Sequence, residues 1–278
     1  MAVVLITGCR SGIGLQTALA FARRGDRVYA TSRDVVRADQ LRQLVDRESL
    51  PVEIQALDVT DGDAARRMIG NVVAREGRID VLVNNAGIAG GVSAIEEVDE
   101  DVARAVWETN FWAPFRLIRA VLPHMRSQGS GVIVNLSTYG ARLPGGPGLA
   151  MYGMSKQAIS RLSESLQAEL HGTGVRVVAI EPGMFSTEIY SGDKRPPIDP
   201  ASPYAPIISA VDTRIAEGIA NGADPAVVAS AILAAVDDPA SPTRILVGDD
   251  AVAAFDAHRR TLLAAWHAEL APDSDAGE

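Results

Sequence analysis

The sequence lacks features on which several classes of protein depend. Its 278 residues include one cysteine, Cys9, so neither an intrachain disulfide nor a cluster of thiolate metal ligands can form. The apolar run in the N-terminal MAVVLITG is only about five residues long, with no basic segment before it, and this is too short for a signal peptide or a membrane span. We therefore expect a cytoplasmic protein with no membrane partner.

Basic residues are fewer than acidic ones. Lysine and arginine number 26 against 35 aspartates and glutamates, which gives a net charge of −9 and a pI of about 5.0. A protein that binds nucleic acid needs a basic surface, so we expect no nucleic-acid partner. The chain has four histidines, and none pairs with another at zinc-site spacing, so we expect no metal.

Short β-branched runs alternate with longer helical patterns along the chain. The first run, VVLIT at 3–7, is apolar without alternation, which is typical of a strand buried on both faces of a parallel sheet. The predicted strands are 3–7, 27–32, 52–59, 79–84, 131–137, 175–181 and 245–247, and the predicted helices are 12–24, 37–49, 63–76, 95–127 with a break near Glu108 or Asn110, and 152–171. This order predicts an α/β protein with a single doubly wound parallel sheet of about seven strands and helices on both faces.

The chain is expected to form one domain over residues 1–270. A substrate-facing loop is predicted at about 184–222, because the proline-rich segment 192–206 rules out a regular helix or a central strand there. A C-terminal extension of one or two helices is predicted at about 249–270, and a flexible tail at 271–278.

A glycine-rich turn follows the first predicted strand and opens the first predicted helix. Glycines allow a tight turn and a close ligand approach, and a helix N-terminus favours an anion such as pyrophosphate. The spacing is G-x-x-x-G-x-G, and an ordinary glycine-rich turn is the alternative. The residues expected to contact the cofactor here are Gly8, Arg10, Ser11, Gly12, Ile13 and Gly14.

The end of the second predicted strand carries Ser32, Arg33 and Asp34. A carboxylate at this position usually binds the ribose of NAD, whereas an arginine accommodates the 2′-phosphate of NADP. Arg33 and Arg10 together favour NADP(H) over NAD(H), because guanidinium pairs well with phosphate. The alternative is that both arginines are solvated surface charges.

A tyrosine and a lysine at Tyr152 and Lys156 share one face of a predicted helix. A nearby cation lowers the pKa of a tyrosine, which can then exchange a proton with an alcohol or a carbonyl oxygen. Ser137 ends the fifth predicted strand at the ligand-binding edge of the sheet, where its hydroxyl could bond the substrate oxygen. Taken alone, the tyrosine and lysine could be an ordinary pair on the surface of a helix. The other nearby tyrosine, Tyr139, has no lysine four residues later. Ser137 lacks the flanking glycines of a hydrolase nucleophile, which argues against a serine hydrolase.

Together these features resemble the short-chain dehydrogenase/reductase family, over about residues 3–187. The matching motifs are TGCRSGIG at 7–14, Asp58 with Val59, NNAG at 84–87, Asn110, Ser137, Tyr152 with Lys156, and Pro182 and Gly183 with Thr187. The resemblance implies a Rossmann-like fold and an NADP(H)-dependent reductase of the carbonyl or hydroxysteroid type. The family often has a basic residue just before the second glycine, where this chain has Ser11.

The resemblance also implies a role for each matching residue. The cofactor contacts would be with the adenine at Asp58 and Val59, with the central trough at Asn84, Ala86 and Gly87, and with the carboxamide at Pro182, Gly183 and Thr187. Asn110 would hold a water in a proton relay with Lys156, and Lys156 would bond the nicotinamide ribose. Together with Ser137 and Tyr152 they would form the catalytic set, while the cofactor supplies the hydride chemistry.

Two other functions fit the same fold: a non-catalytic NADP-binding sensor or scaffold, and a dehydratase or epimerase. The presence of all four residues of the catalytic set favours oxidoreduction. A hydrophobic ketone or alcohol is the expected substrate, because the expected pocket wall is mainly apolar: Leu143, Pro144, Met184, Phe185, Ile189 and Tyr190.

We also expect a homo-oligomer, a dimer or a tetramer. The predicted helices around residues 110–125 and 152–171 carry more apolar side chains than one face against a sheet requires, and a large exposed apolar patch usually marks an interface. The alternative is that all these side chains are core.

Overall fold

Seven parallel strands form one sheet in the computed structural model, which describes residues 1–190 and 197–270. They are β1 (Val3–Ile6), β2 (Arg27–Ser32), β3 (Val52–Ala56), β4 (Val81–Asn84), β5 (Gly131–Leu136), β6 (Val175–Pro182) and β7 (Arg244–Val247). Their order is β3-β2-β1-β4-β5-β6-β7. The direction of winding reverses between β1 and β4, and in open sheets of this kind ligands bind beyond the carboxyl ends of the strands at that point.

Nine α-helices are formed by the described residues: α1 (Gly12–Arg23), α2 (Asp39–Glu48), α3 (Gly62–Glu76), α4 (Glu100–Trp107), α5 (Ala113–Gln128), α6 (Ala150–Glu169), α7 (Ala205–Ala220), α8 (Ala226–Asp237) and α9 (Asp249–Leu270). A π-helical turn (Glu108–Trp112) joins α4 to α5, and a 3₁₀ helix (Tyr139–Arg142) follows β5. One apolar cluster packs α1 and α8 against one face of the sheet, and a second packs α3, α5 and α6 against the other. The predicted doubly wound fold is confirmed.

The structure corrects several predicted elements. The predicted loop at 184–222 contains α7, because Pro206 lies in the first turn of that helix, where a missing backbone N–H costs nothing. Helix α8 was not predicted, and β3 ends at Ala56 rather than at residue 59. The C-terminal extension is one helix, α9. Residues 191–196 of the predicted loop and the predicted tail at 271–278 lie outside the described residues.

The apolar side chains on the helices expected to form an oligomer interface are mostly core. Ile118, Met125, Ile159, Leu166 and Leu170 are buried, as the alternative reading held. Trp112 and Met154 remain exposed, at 45% and 43%, so the homo-oligomer stays a prediction. No helix in the described part of the chain is long and apolar enough to span a membrane.

Candidate active site

The glycine-rich turn connects β1 to α1 in a conformation that requires its glycines. Gly8 and Gly12 have φ of +74° and +56°, in the left-handed region that side chains disfavour. A Cβ on Gly14 would lie 2.3 Å from the Gly8 carbonyl oxygen. Asn85 braces the turn, since its Nδ2 donates to the carbonyl oxygens of Thr7 (2.8 Å) and Gly8 (3.0 Å). The sequence interpretation gave Asn85 no role, although it lies inside the NNAG motif.

The N-terminus of α1 is suited to an anion. Ser11 is the residue before the helix, but its side chain does not cap it; the hydroxyl instead donates to Glu188 Oε2 at 3.1 Å. The backbone amides of Gly12, Ile13 and Gly14 find no acceptor within residues 1–190 or 197–270. Free amides together with the helix dipole favour a bound phosphate.

The three charged residues expected near a 2′-phosphate have different surroundings. Arg10 is already paired, with its Nη2 2.7 Å from Glu188 Oε2. Asp34 accepts the backbone amide of Val36 at 2.9 Å, and its other oxygen lies 3.6 Å from Arg37 Nε. Arg33 is exposed and forms no ion pair with the rest of the described chain. A phosphate at this edge would therefore meet Arg33 without displacing a carboxylate.

The remaining predicted cofactor residues surround the same edge of the sheet. Thr187 lies beside the turn, since a Cβ on Gly12 would be 3.4 Å from it. A Cβ on Gly87 would be 3.3 Å from both Asn110 Oδ1 and Lys156 Nζ. Asn84 Oδ1 is buried without a hydrogen-bond partner among the described residues, an acceptor that a bound group could satisfy. Contacts with neighbouring residues place the other members of this set. Asp58 accepts from Thr60, and Val59 is buried. Ala86 N donates to Thr7 Oγ1, and Gly183 N, next to Pro182 at the end of β6, donates to the Val247 carbonyl.

Tyr152 and Lys156 lie one turn apart near the start of α6, as predicted. Lys156 is 3% exposed and its Nζ donates to the carbonyl oxygen of Leu136 at 2.8 Å. The same Nζ lies 5.9 Å from the centroid of the Tyr152 ring. An ammonium has three donors, and this one bonds a single acceptor among the described residues.

The electrostatics of this pair differ from the expectation. Burial lowers the pKa of Lys156 from 10.5 to about 8, which makes its charged form less favourable. Burial also raises the pKa of Tyr152 to about 12, against an opposing hydrogen bond from the Thr138 side chain. The predicted lowering of the tyrosine pKa by a nearby cation is thus wrong for the protein without ligand, because desolvation exceeds the other effects. The phenol is protonated at neutral pH.

The hydroxyl beside Tyr152 belongs to Thr138, not to Ser137. Ser137 is buried, and its Oγ donates to the carbonyl oxygen of Lys156 at 2.8 Å and lies 2.7 Å from Ser160 Oγ. Its amide continues the sheet by donating to the Ile180 carbonyl. Successive side chains of an extended segment point in opposite directions, so Thr138 takes the position next to the tyrosine. The substrate-facing role of Ser137 stays a prediction, and Thr138 is a second candidate for it because its side chain interacts with Tyr152.

Asn110 lies in the π-helical turn, where its side chain is 2% exposed. Its Oδ1 accepts the Ile88 amide at 2.9 Å, and its Nδ2 donates to the Ile88 carbonyl (2.9 Å) and to Ser155 Oγ (3.1 Å). The Asn110 carboxamide thus links the segment after β4 to α6 through these hydrogen bonds. A role for Asn110 in holding a water stays a prediction; its Oδ1 accepts one bond among the described residues and keeps a second lone pair.

A family model described as short chain dehydrogenase matches residues 2–196. The chain belongs to the short-chain dehydrogenase family. Oxidoreductase BOA17 of Botryotinia fuckeliana (strain B05.10) is 34% identical over 252 residues, which cover 89% of each protein. A short-chain dehydrogenase from Streptomyces avermitilis has a fold with a TM-score of 0.83 at 37% identity, over 95% of this chain and 94% of that one.

Two further solved structures similar to this short-chain dehydrogenase contain cofactors. A serine dehydrogenase complexed with NADP⁺ has a TM-score of 0.74 at 28% identity, over 88% of this chain and 93% of that one. A short-chain dehydrogenase/reductase from Burkholderia phymatum in complex with NAD has a TM-score of 0.82 at 22% identity, over 100% and 98% of the two chains. The second likeness shows the shared fold alone. Membership of this family makes the chain an oxidoreductase by descent.

The space next to Tyr152 in this short-chain dehydrogenase is walled by apolar side chains. The Tyr190 ring packs edge to face on the Tyr152 ring, with centroids 6.1 Å apart. Tyr152 also lines a cavity of about 20 Å³, whose walls include Ile95, Val102 and Met151. Of the predicted wall, Tyr190 is beside Tyr152 and Phe185 is instead buried in the core that packs on α1 and α8, while the other four residues stay predictions. Ile208 and Ile215 of α7 form a separate cluster with Val92 and Ala94, and partly buried Tyr190 packs against it.

Proposed function

We propose that this chain is an NADP(H)-dependent reductase of carbonyl groups in which Tyr152 donates the proton. The observation that carries the proposal is the placement of Tyr152, whose ring centroid lies 5.9 Å from Lys156 Nζ and whose hydroxyl interacts with the Thr138 side chain. This arrangement lies beyond the carboxyl end of β5, at the edge of the sheet where the glycine-rich turn offers its free amides. A proton donor at neutral pH is what carbonyl reduction needs.

When bound, a nicotinamide cofactor supplies the hydride. Tyr152 donates its proton to the carbonyl oxygen, and the Thr138 hydroxyl turns its single proton from the tyrosine oxygen to the developing oxyanion. Hydrogen-bond donors aimed at developing charge contribute strongly in a site that excludes water. Lys156, with two donors beyond its bond to Leu136, would hold ribose hydroxyls and stabilise the negative charge left on the tyrosine oxygen.

The residues present fit a dinucleotide, and they favour one with a 2′-phosphate. The amides of the first turn of α1 would hold the pyrophosphate, and Asn84 Oδ1 is a buried acceptor still lacking a partner among the described residues. Arg33 supports the preference for NADP(H), because it is exposed and unpaired within the described chain while Asp34 is engaged by Val36 and Arg37. Arg10 would contribute only after leaving Glu188.

We assign an apolar ketone or secondary alcohol as the substrate class. The apolar residues around Tyr152 include Tyr190, Met151 and Ile95, and Tyr190 also packs with a cluster that α7 contributes to. Pockets of this kind gain affinity from apolar surface and fix orientation with a few polar groups. Thr138 and Tyr152 are the polar groups that would orient the carbonyl.

The test is turnover by the purified full chain with NADPH against ketones graded by size and polarity. We expect apolar ketones to be reduced with one alcohol formed for each NADPH consumed, and deuterium from labelled NADPH to appear on the carbonyl carbon. Binding of NADPH without turnover of any ketone would support the sensor or scaffold function instead. Product formation without net NADPH consumption would point to an epimerase or a dehydratase.

We further propose a homo-oligomer formed through α5 and α6. Trp112 and Met154 are large apolar side chains left exposed beside these helices, and Trp112 packs edge to face on Phe111 and Phe115. Aromatic residues and methionine are enriched in interface cores. A self-complementary interface would cover this patch in both copies.

A further inference from the structure

A buried carboxylate lies directly behind the catalytic residues and has no part in the reaction proposed above. Glu181, on β6, is 0% exposed. Its Oε2 accepts from Arg142 Nε, and its Oε1 accepts from Arg244 Nε at 2.8 Å and from Ser160 Oγ at 2.8 Å. Two guanidinium groups and a hydroxyl thus compensate the charge, as burial of a carboxylate requires.

The arginine partners of Glu181 hold the segment that carries Thr138. Arg142 ends the 3₁₀ helix Tyr139–Arg142, whose preceding residue is Thr138. Arg244 reaches the same helix directly, with its Nη2 3.4 Å from the Ala141 carbonyl oxygen. Arg142 also lies over the ring of Phe255 on α9, 5.2 Å from the centroid, so the C-terminal helix covers this ion pair.

The hydroxyl partner of Glu181 holds the helix that carries Tyr152. Ser160 lies four residues after Lys156 and eight after Tyr152, so all three share one face of α6. Ser160 Oγ also lies 2.7 Å from Ser137 Oγ, which in turn donates to the Lys156 carbonyl. One carboxylate is therefore bonded both to the Thr138 segment and to the Tyr152 helix.

We propose that Glu181 is a positioning residue that sets the distance between the Thr138 and Tyr152 hydroxyls. The two hydroxyls belong to different elements, and Glu181 joins those elements from behind with bonds to each. Charge-assisted hydrogen bonds fix geometry more firmly than neutral ones, and a catalytic pair must be held to about 0.5 Å. This inference rests on the proposed function, because it presupposes that the two hydroxyls act on a substrate.

The kinetic test compares Glu181→Gln with Thr138→Val and with the double variant. We expect Glu181→Gln to lower kcat about 10- to 100-fold through misplacement of the reacting groups, with NADPH affinity measured by cofactor fluorescence essentially unchanged. In the Thr138→Val background the same substitution should lower kcat by less than about twofold, because residues that act through one another are not additive. The proposal is overturned if the double variant loses as much kcat as the product of the two single losses, or if Glu181→Gln keeps the wild-type kcat.

Asp26→Asn is the matched control for loss of a buried acid. Asp26 is buried at the opposite edge of the sheet, where it accepts from the Ala2 amide (2.8 Å) and from Arg24 Nε (2.6 Å). Its substitution should leave kcat within about twofold of the wild type, as for distant, independent sites. A loss equal to that of Glu181→Gln would show a general effect of destabilisation and contradict the positioning role.

A second readout requires no turnover and so separates this inference from the proposed function. In protein labelled at the tyrosine ring carbon that bears the hydroxyl, the Tyr152 NMR resonance is identified by its loss in Tyr152→Phe. We expect Glu181→Gln to shift it in the same direction as Thr138→Val. If Glu181→Gln does not fold, Ser160→Ala removes the bond from α6 to Glu181, together with the contact to Ser137, and should give a smaller shift of the same sign. An unmoved Tyr152 resonance in the folded variant overturns the inference even if ketones are reduced.

Discussion

The burial of Lys156 predicts how the stability of the protein changes with pH. Burial lowers its pKa from 10.5 to about 8, and each pKa unit corresponds to about 1.4 kcal/mol. The charged amine therefore costs the folded, cofactor-free protein about 3 kcal/mol of stability. Because the folded-state pKa lies below the unfolded one, the penalty is present in full below pH 8, shrinks as the pH rises towards 10.5, and is absent above it.

The perturbation is Lys156→Met, which keeps the length of the side chain and removes its titration. The variant leaves the Leu136 carbonyl without its donor, but that loss is the same at every pH and cancels in a comparison between two pH values. We expect the wild type to gain about 2–3 kcal/mol in the free energy of unfolding relative to Lys156→Met between pH 7 and pH 10. Urea unfolding of both proteins at the two pH values measures this difference.

The pKa can also be measured directly, because the sequence has only two lysines, Lys156 and Lys194. In protein labelled at the lysine side-chain carbon next to the amine, Lys194→Arg leaves a single resonance to follow with pH. We expect that resonance to titrate near pH 8 without cofactor. A midpoint near the ordinary value of 10.5, or a stability difference that is constant with pH, would refute the reasoning.

Three further predictions concern cofactor binding and assembly. Arg33→Ala should reduce the ratio of the NADH and NADPH dissociation constants by about 10- to 100-fold, which is the value of one charge-assisted bond. The control Arg37→Ala, beside Asp34, should leave this ratio unchanged. A wild type that binds NADH more tightly contradicts the prediction. Gly14→Ala should abolish NADPH binding, because its Cβ would meet the Gly8 backbone at 2.3 Å. The control Gly70→Ala should bind NADPH normally, because nothing lies within 4 Å of the added Cβ. Equal binding by both variants would contradict the prediction and show that the turn can relax. Trp112→Glu should shift the species seen by light scattering to the 29.3 kDa monomer, and an unchanged oligomer would place the interface elsewhere.

The fold and the main site residues follow from local sequence patterns. Continuous apolar strands, helical periodicity and the glycine-rich turn each depend on a few neighbouring residues, and together they specify the doubly wound sheet. Tyr152 and Lys156 share a helical face, which spacing alone predicts. The sequence does not decide between the adjacent hydroxyls of Ser137 and Thr138, because the side chains of an extended segment alternate in direction and the pattern does not show which one faces Tyr152.

Other features depend on partners that are distant in sequence. Arg10 is paired with Glu188, 178 residues away, and Arg244 with Glu181, 63 residues away; no local pattern indicates either pair. The pKa values of Tyr152 and Lys156 depend on how deeply both are buried, which only the assembled sheet and helices define. Helix α7 was missed for a local reason, since Pro206 is compatible with the first turn of a helix.

The most direct test of the account is single-turnover hydride transfer in Tyr152→Phe, with Tyr139→Phe as the matched control. Tyr139 is the neighbouring tyrosine and has no lysine one turn later. With the best ketone from the substrate panel, we expect Tyr152→Phe to lose about 10²–10⁴-fold in rate while binding NADPH normally, because only the proton donor is removed. Tyr139→Phe should retain most of the rate. Wild-type hydride transfer in Tyr152→Phe, or an equal loss in both variants, would contradict the assignment of Tyr152 as the proton donor.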